Sequence, residues 1–365
     1  MTALEPPLLR PLTLGQLLDR AIRLYRQHFL VFIGIIAVAL VPITLIQYGV
    51  SLVNFAAVQR ALLQMRDPLV EQNPLRLIAA ELAAMGGGSE ALVTILTFIL
   101  VQGVATCALS KAIEDSYLGR PVGILDSYKK VATLWLPLLL VLALGLLIGV
   151  GLYIWMIVPC VGWLTGPGML LFFIYAVYRL IPAAVVIEDR RGLSAIARVW
   201  ELTRRRFWWV LGFVIVLGVL ASIILVGPIA LVTGLGGALS QSIMPLASAQ
   251  ARFAVQTALS QTVSFVFQLV YLPLQLTALI LMYFDLRVRT EGFDLALEAS
   301  SVSAEGQAAV EATPPAPAPE PKPLITVNEA GYFAAISLGI LLLCGILYAA
   351  IIGVALLSVG ASRGF

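Results

Sequence analysis

Residues 188–214 read EDRRGLSAIARVWELTRRRFWWVLGFV. Leu193, Ile196, Trp200 and Phe207 recur at helical spacing, with Ala197 in the same stripe. Ser194, Arg198, Glu201 and Arg205 fall opposite them. One apolar and one cationic face is the pattern of a helix lying in a membrane interface. Arg204, Arg205 and Arg206 then mark a water boundary. Trp208 and Trp209 stand where an aromatic belt belongs, at the head of a long apolar run.

Two weaker copies of this design lie upstream. In the first, Leu14, Leu17, Leu18, Ala21 and Tyr25 form the stripe, and Arg20, Arg23 and Arg26 face water. Thr13 followed by Gln16 fits a capping box, which satisfies two of the amide groups a helix start leaves open. In the second, Ile124, Tyr128, Val131 and Trp135 form the stripe, with Lys129 and Lys130 beside it. Aligning Phe29, Trp135 and Phe207 superposes all three, so interfacial helices are expected at 13–28, 123–134 and 192–206. The apolar runs before the later copies end alike, in Ile113-Glu114-Asp115 and Ile187-Glu188-Asp189, and the last core run ends in Tyr283-Phe284-Asp285. The expected fold is an all-α polytopic bundle. Its core, residues 1–298, would be six spans in three two-span units, each led by an interfacial helix. Multi-spanning proteins in general place charges and aromatics at their interfaces, and that explanation of the likeness stays open.

Composition agrees. Of 365 residues, 60% are hydrophobic and only 12% charged, about half the charged share of a soluble domain. Spanning a bilayer takes about 20 apolar residues. Runs at 29–53, 90–110, 134–158, 163–187, 207–232, 259–284 and 331–358 qualify. Prolines interrupt several of them (Pro42, Pro137, Pro182, Pro273), which membrane helices tolerate when neighbours satisfy the freed carbonyls. No cleavable signal peptide is evident, so span one is expected to serve as the insertion signal. Seventeen of the 23 Lys and Arg residues fall before span one or between spans two and three, four and five, or six and seven. The positive-inside rule then puts the N-terminus and the three interfacial helices in the cytoplasm and the C-terminus outside the cytoplasmic membrane.

Residues 299–327 carry the run TPPAPAPEPKP, expected to be a disordered cytoplasmic linker. A C-terminal transmembrane helix follows within 328–365. Gly331, Ala335 and Gly339, then Gly345, Ala349 and Gly353, repeat every four residues there. Such a stripe offers span 331–358 to a partner helix, unless it is only the usual glycine enrichment of membrane helices. Residues 54–89 are expected to form a small outer cap and 233–258 to lie along the surface.

Chemistry is sparse. The single histidine, His28, has no Glu-x-x-His partner, and there is no nucleophile elbow or phosphate loop. Cys107, Cys160 and Cys344 are scattered and match neither a disulfide framework nor a metal site. Glu114/Asp115 and Glu188/Asp189 stand beside basic residues and read as interfacial ion pairs before general acids. No catalytic residue, cofactor, metal or nucleic acid is expected. The expected partners are the bilayer and its anionic headgroups, met by Arg20, Arg23, Arg26, Lys129, Lys130, Arg198, Arg204, Arg205 and Arg206. Arg179 is the clearest ionisable residue inside a span. Either it snorkels beside Tyr175 and Tyr178, or bonds a carbonyl freed by Pro182, or it faces a cavity.

The stretches PLTLGQLLDRAIRLYRQHF (11–29), VVIEDRRGLSAIARVWELTRRRFWWVLG (185–212) and MYFDLRVRTEGFDLAL (282–297) resemble bacterial six-span proteins grouped with the membrane domain of glycerophosphoryl diester phosphodiesterases. The resemblance covers about residues 10–298. It implies the membrane fold and not the enzyme, because the catalytic barrel fused to some members depends on histidines and clustered carboxylates. It carries no catalytic residue over. The expected function is a non-enzymatic scaffold or accessory factor in envelope or lipid handling, with a transporter or lipid-moving protein as the alternative.

Overall fold

The computed structural model describes residues 12–64, 87–117, 120–243, 249–291 and 326–362. Every element among them is helical. Seven helices are long and apolar enough to cross a membrane: span one Phe29–Phe55, two Leu92–Ser116, three Trp135–Trp155, four Val161–Glu188, five Phe207–Gly236, six Ala251–Glu291 and seven Val327–Ile346. They answer one for one to the seven apolar runs, and the chain is a multi-pass integral membrane protein. Three short amphipathic helices, Leu14–Gln27, Ile124–Ala132 and Leu193–Arg205, lead into spans one, three and five. The linker of residues 299–325 lies outside the described residues.

The spans sort into two shells. The buried share is 44, 67 and 56% in spans two, four and six, against 33, 22 and 17% in one, three and five. The even spans therefore form an inner trio and the odd spans pack outside it. Proline shapes span four. Pro182 has no N–H, and its ring collides with the carbonyl four residues back. Span four accordingly passes from α-helix (Val161–Phe172) through a π-helical turn (Phe173–Val177) and a 3-10 turn (Tyr178–Leu180) before Ile181–Glu188 resumes the α form. Span two carries a longer π stretch, Phe98–Ala105, and span five a further π turn, Ser222–Val226. Such turns widen a helix locally and are frequent at functional sites.

The first short helix is capped as expected. Thr13 Oγ1 accepts from the Gln16 amide, and Gln16 Oε1 from the Thr13 amide. Its Leu17, Ala21 and Tyr25 are buried, and Tyr25 donates to the Val270 carbonyl of span six at 2.9 Å. In the second, Val131 is buried and Tyr128 donates to the Ile35 carbonyl of span one at 2.6 Å. Trp135 is exposed. The third helix departs from expectation. Its buried face is Ala195, Ile196, Val199, Leu202 and Thr203, while Leu193 is 62% exposed and Ala197 is exposed too. The face is turned because Arg198 and Arg204 find carboxylates inside the protein, which places the residues between them inward.

Two spans differ from expectation in extent. Span six belongs to a helix, Ala249–Glu291, of 43 residues. Its last turns are charged yet helical, since Arg289 pairs with Asp285 at 2.6 Å and Arg287 with Glu291 at 3.5 Å, each at i,i+4 spacing. Its first turns pack Phe253 on Phe55 of the span-one helix, ring centroids 4.2 Å apart. The expected surface stretch 233–258 is thus largely helix, Gly227–Ile243 and the start of span six, with 244–248 outside the described residues. The helix of span one runs on to Gln64 into the expected outer cap, of which 65–86 lie outside the described residues.

Span seven is seated on span four. Gly168 has no side chain, so the span-seven backbone at Phe333 comes close enough that a Cβ would strike its carbonyl oxygen. The Gly168 amide donates to Ser337 Oγ at 2.8 Å. Phe333 is buried among Phe172, Trp200 and Phe207. At the head of the span, Glu329 accepts from the Thr326 amide and binds Arg204 of the third short helix at 3.2 Å. The glycine stripe does not make this contact. Gly331, Ala335 and Gly339 are exposed, on another face, and nothing stands near either glycine.

Candidate functional site

Two polar assemblies stand out, one at the end of the bundle where the short helices lie and one deep between the spans. The first is an ion network. Glu188 ends span four, and Asp189 beyond it takes a left-handed conformation (φ 49°) that stops the helix there. The Glu188 side chain, 3% exposed, accepts from Arg198 Nε at 2.8 Å and from the Tyr283 hydroxyl at 2.5 Å, and pairs with Arg287 Nε at 3.3 Å. Glu291 closes the set by pairing with both Arg198 and Arg287. Burial works against the charged form of Arg198, and the hydrogen bonds with Glu291 and Glu188 outweigh it, so its guanidinium is held above its ordinary range. The network ties span four, the third short helix and span six together. Neighbouring sets repeat the theme: Lys111 with Glu114 at 2.8 Å at the end of span two, and Asp285 accepting from the Leu12 amide at 2.8 Å.

The second assembly surrounds Arg179, in the 3-10 turn of span four. Its guanidinium lies over the Tyr175 ring, 5.2 Å from the centroid. Arg179 and Tyr175 share a cavity of about 520 Å³ with Val214, Leu217, Gly218 and Ser222 of span five and Gln275 of span six. Tyr271 stands next to it and donates to the Leu217 carbonyl at 2.8 Å, which holds spans five and six together at this level. Gln275 is ten residues before Asp285, which meets the first short helix. At 1.5 Å per residue that puts Gln275 about 15 Å along the helix from Asp285. Arg179 itself is nine residues before Glu188, about 13 Å along the helix, and its guanidinium turns to the Tyr175 ring and the cavity. Among the described residues no carbonyl freed by Pro182 accepts from it. Among the described residues, neither Arg179 nor Gln275 has a side-chain hydrogen bond or a carboxylate partner. Tyr178 points elsewhere, stacking on Phe98 of span two. Arg179 therefore faces a cavity lined by three spans.

The basic residues expected at headgroups divide. Arg23, Arg26, Lys129 and Arg206 present exposed side chains, and Arg205 is engaged by Glu201 at 2.7 Å. Arg20 is half-buried. Lys130 lies on the second short helix, and its side chain is outside the described residues. Arg198 and Arg204 are corrected: both are nearly buried, held by Glu188 and Glu291 and by Glu329. His28 sits at the junction of the first helix and span one, 5.7 Å from the Phe32 ring, and burial lowers its pKa. Sequence reasoning missed Gln275, Ser222, Arg287 and Glu291. Gln275 carried a usable signal, since an amide inside an apolar run is costly unless it faces protein or a cavity. The chain matches no family model, no curated protein and no solved structure.

Proposed function

We propose that this chain is a non-enzymatic protein of the cytoplasmic membrane that handles a lipid inside the bilayer, moving it between leaflets. One observation carries the reading. A guanidinium about 13 Å along span four from Glu188, without a carboxylate partner among the described residues, lines a cavity between three spans. A charge at such a depth costs about 2.5–3.5 kcal/mol on insertion scales, and residues bearing that cost usually mark a substrate path. Two of the three π stretches among the described residues, those of spans four and five, flank this cavity, and that of span two does not line it. The lipid-moving alternative thereby overtakes the scaffold reading, which retains the outward glycine stripe of span seven as its support.

The test is lipid exchange between leaflets in vesicles containing the full chain and a fluorescent phospholipid. Exchange is expected with the wild type and not with Arg179→Leu. Arg179→Lys should insert normally and lose most of the exchange, because an ammonium lacks the planar fork that stacks on Tyr175. Wild-type vesicles no faster than protein-free ones would overturn the proposal.

The same proposal takes the three two-span units as repeats with their short helices in the cytoplasmic interface. Each short helix leads an odd span, and a carboxylate with a buried side chain stands near the end of each even span: Glu114, Glu188 and Asp285. The exposed Arg23, Arg26, Lys129 and Arg206 would then meet anionic headgroups. Reporter fusions at residues 195 and 310 should read cytoplasm and one at 245 the outside. A cytoplasmic signal at 245 overturns this orientation. The resemblance to the membrane domain of glycerophosphoryl diester phosphodiesterases rests on the quoted motifs alone and implies only the membrane fold.

A further inference from the structure

We infer that the Arg179 cavity binds a net-anionic lipid headgroup, phosphate or carboxylate in chemistry, which reaches it sideways from the bilayer. The inference rests on the lipid-handling reading above and names the substrate class. It begins with unused hydrogen-bonding capacity. A guanidinium has five N–H donors and a primary amide two. Gln275 is only 7% exposed, and its amide makes no side-chain bond among the described residues. In hydrocarbon, each unsatisfied donor costs several kcal/mol. The group that answers both side chains is an oxyanion, which accepts from both and balances the positive charge.

The lining also selects against a cation. It consists of Tyr175, Arg179, Gln275, Ser222 and aliphatic or glycine positions, with no carboxylate. The ammonium of a zwitterionic headgroup would find no counter-charge there, and the face of Tyr175 is already under Arg179. Size argues for more than a bare ion. A water occupies about 30 Å³ of liquid, and the cavity offers about 520 Å³, within the range of small-molecule sites. A headgroup with the upper part of its chains matches that volume.

The direction of access follows from exposure. Tyr175, Ile215 and Val219 line the cavity and are also exposed, whereas Gln275 and Leu279 are buried on the opposite wall. At this depth exposed aliphatic side chains meet acyl chains. The opening between spans four and five therefore faces lipid, and a ligand with hydrocarbon tails can leave them in the bilayer while its headgroup reaches Arg179.

The experiment is native mass spectrometry of the full chain in detergent, titrated separately with phosphatidylglycerol, phosphatidylcholine and inorganic phosphate. The wild type should retain phosphatidylglycerol over phosphatidylcholine by about tenfold or more, the worth of one or two hydrogen bonds to a charged group. Arg179→Leu should abolish the preference, and Gln275→Leu should reduce it several-fold. Gly218→Phe is the second arm. Gly218 lines the cavity, and a Cβ there meets nothing within 4 Å, so bulk can be added at this wall of span five. It should block retention while the protein still folds. A preference unchanged in both Arg179→Leu and Gly218→Phe overturns the site. Displacement of phosphatidylglycerol by inorganic phosphate at equal concentration overturns the lipid as the source of the anion. Selective retention without leaflet exchange would leave the site standing and remove the transport reading alone.

Discussion

Glu188→Ala is expected to destabilise the protein by about 3–5 kcal/mol, the usual cost of removing one partner from a buried ion pair. The reason is what it leaves behind. Arg198 loses two hydrogen bonds and Arg287 a carboxylate, and Tyr283 loses its 2.5 Å acceptor. Arg287 is 1% exposed, so water cannot take over. Glu291 remains, but one carboxylate then faces two guanidiniums. The neighbouring acid supplies the control. Asp189 is 68% exposed and pairs with Arg191 at 3.3 Å, and an exposed pair of that kind contributes about 0–1 kcal/mol. Thermal unfolding of Glu188→Ala and Asp189→Asn in detergent should separate them widely, since Asn tolerates the left-handed turn. Equal midpoints would mean that the network does not hold span four to span six.

The second large effect is expected at Gly168. Gly168→Leu places a Cβ against the backbone carbonyl of Phe333, where no side-chain rotation can relieve the contact. Span seven must retreat, which breaks the bond from the Gly168 amide to Ser337 and loosens Phe333 from Phe172, Trp200 and Phe207. Overpacking costs about 1–3 kcal/mol, occasionally more, enough to shift docking by tenfold or more. A protease site placed within residues 299–325 makes docking measurable. After cleavage, span seven should co-purify with the rest of the wild-type chain and be lost from Gly168→Leu. Gly339→Leu lies on an open face and should leave co-purification intact. Loss from both variants would mean that the covalent linker alone keeps span seven in place. Arg204 would feel the same separation through Glu329, a second contact nearer the head of span seven.

Several features were legible in the chain itself. The seven spans, the three short helices and the Thr13–Gln16 cap depend on local quantities: a run of apolar residues about as long as a bilayer is thick, a 3.6-residue stripe, a hydroxyl three residues from an amide. What the sequence left undecided is the fate of each charged side chain. Arg198 reads as a water-facing residue on a cationic face, because its partners are Glu188, ten residues back, and Glu291, 93 residues on. Arg204 reads the same way until Glu329 arrives across the linker. Asp285 to Glu291 reads as the polar end of a span, yet the helix continues because its charges meet one another and Leu12.

Arg179 shows the division most clearly. Its depth in span four could be counted from the sequence, and so could the cost of a charge there. Whether the guanidinium reaches water, a carbonyl or a cavity depends on span five and span six, whose Gly218, Ser222 and Gln275 lie 39, 43 and 96 residues away. The length of each apolar run determined which segments can cross a membrane, because transfer from water to hydrocarbon is a property of each segment by itself. Only the tertiary structure decided which charges are matched and which one stands open in a cavity, because matching a charge requires a partner at about 3 Å, and distance in space is not written in distance along the chain.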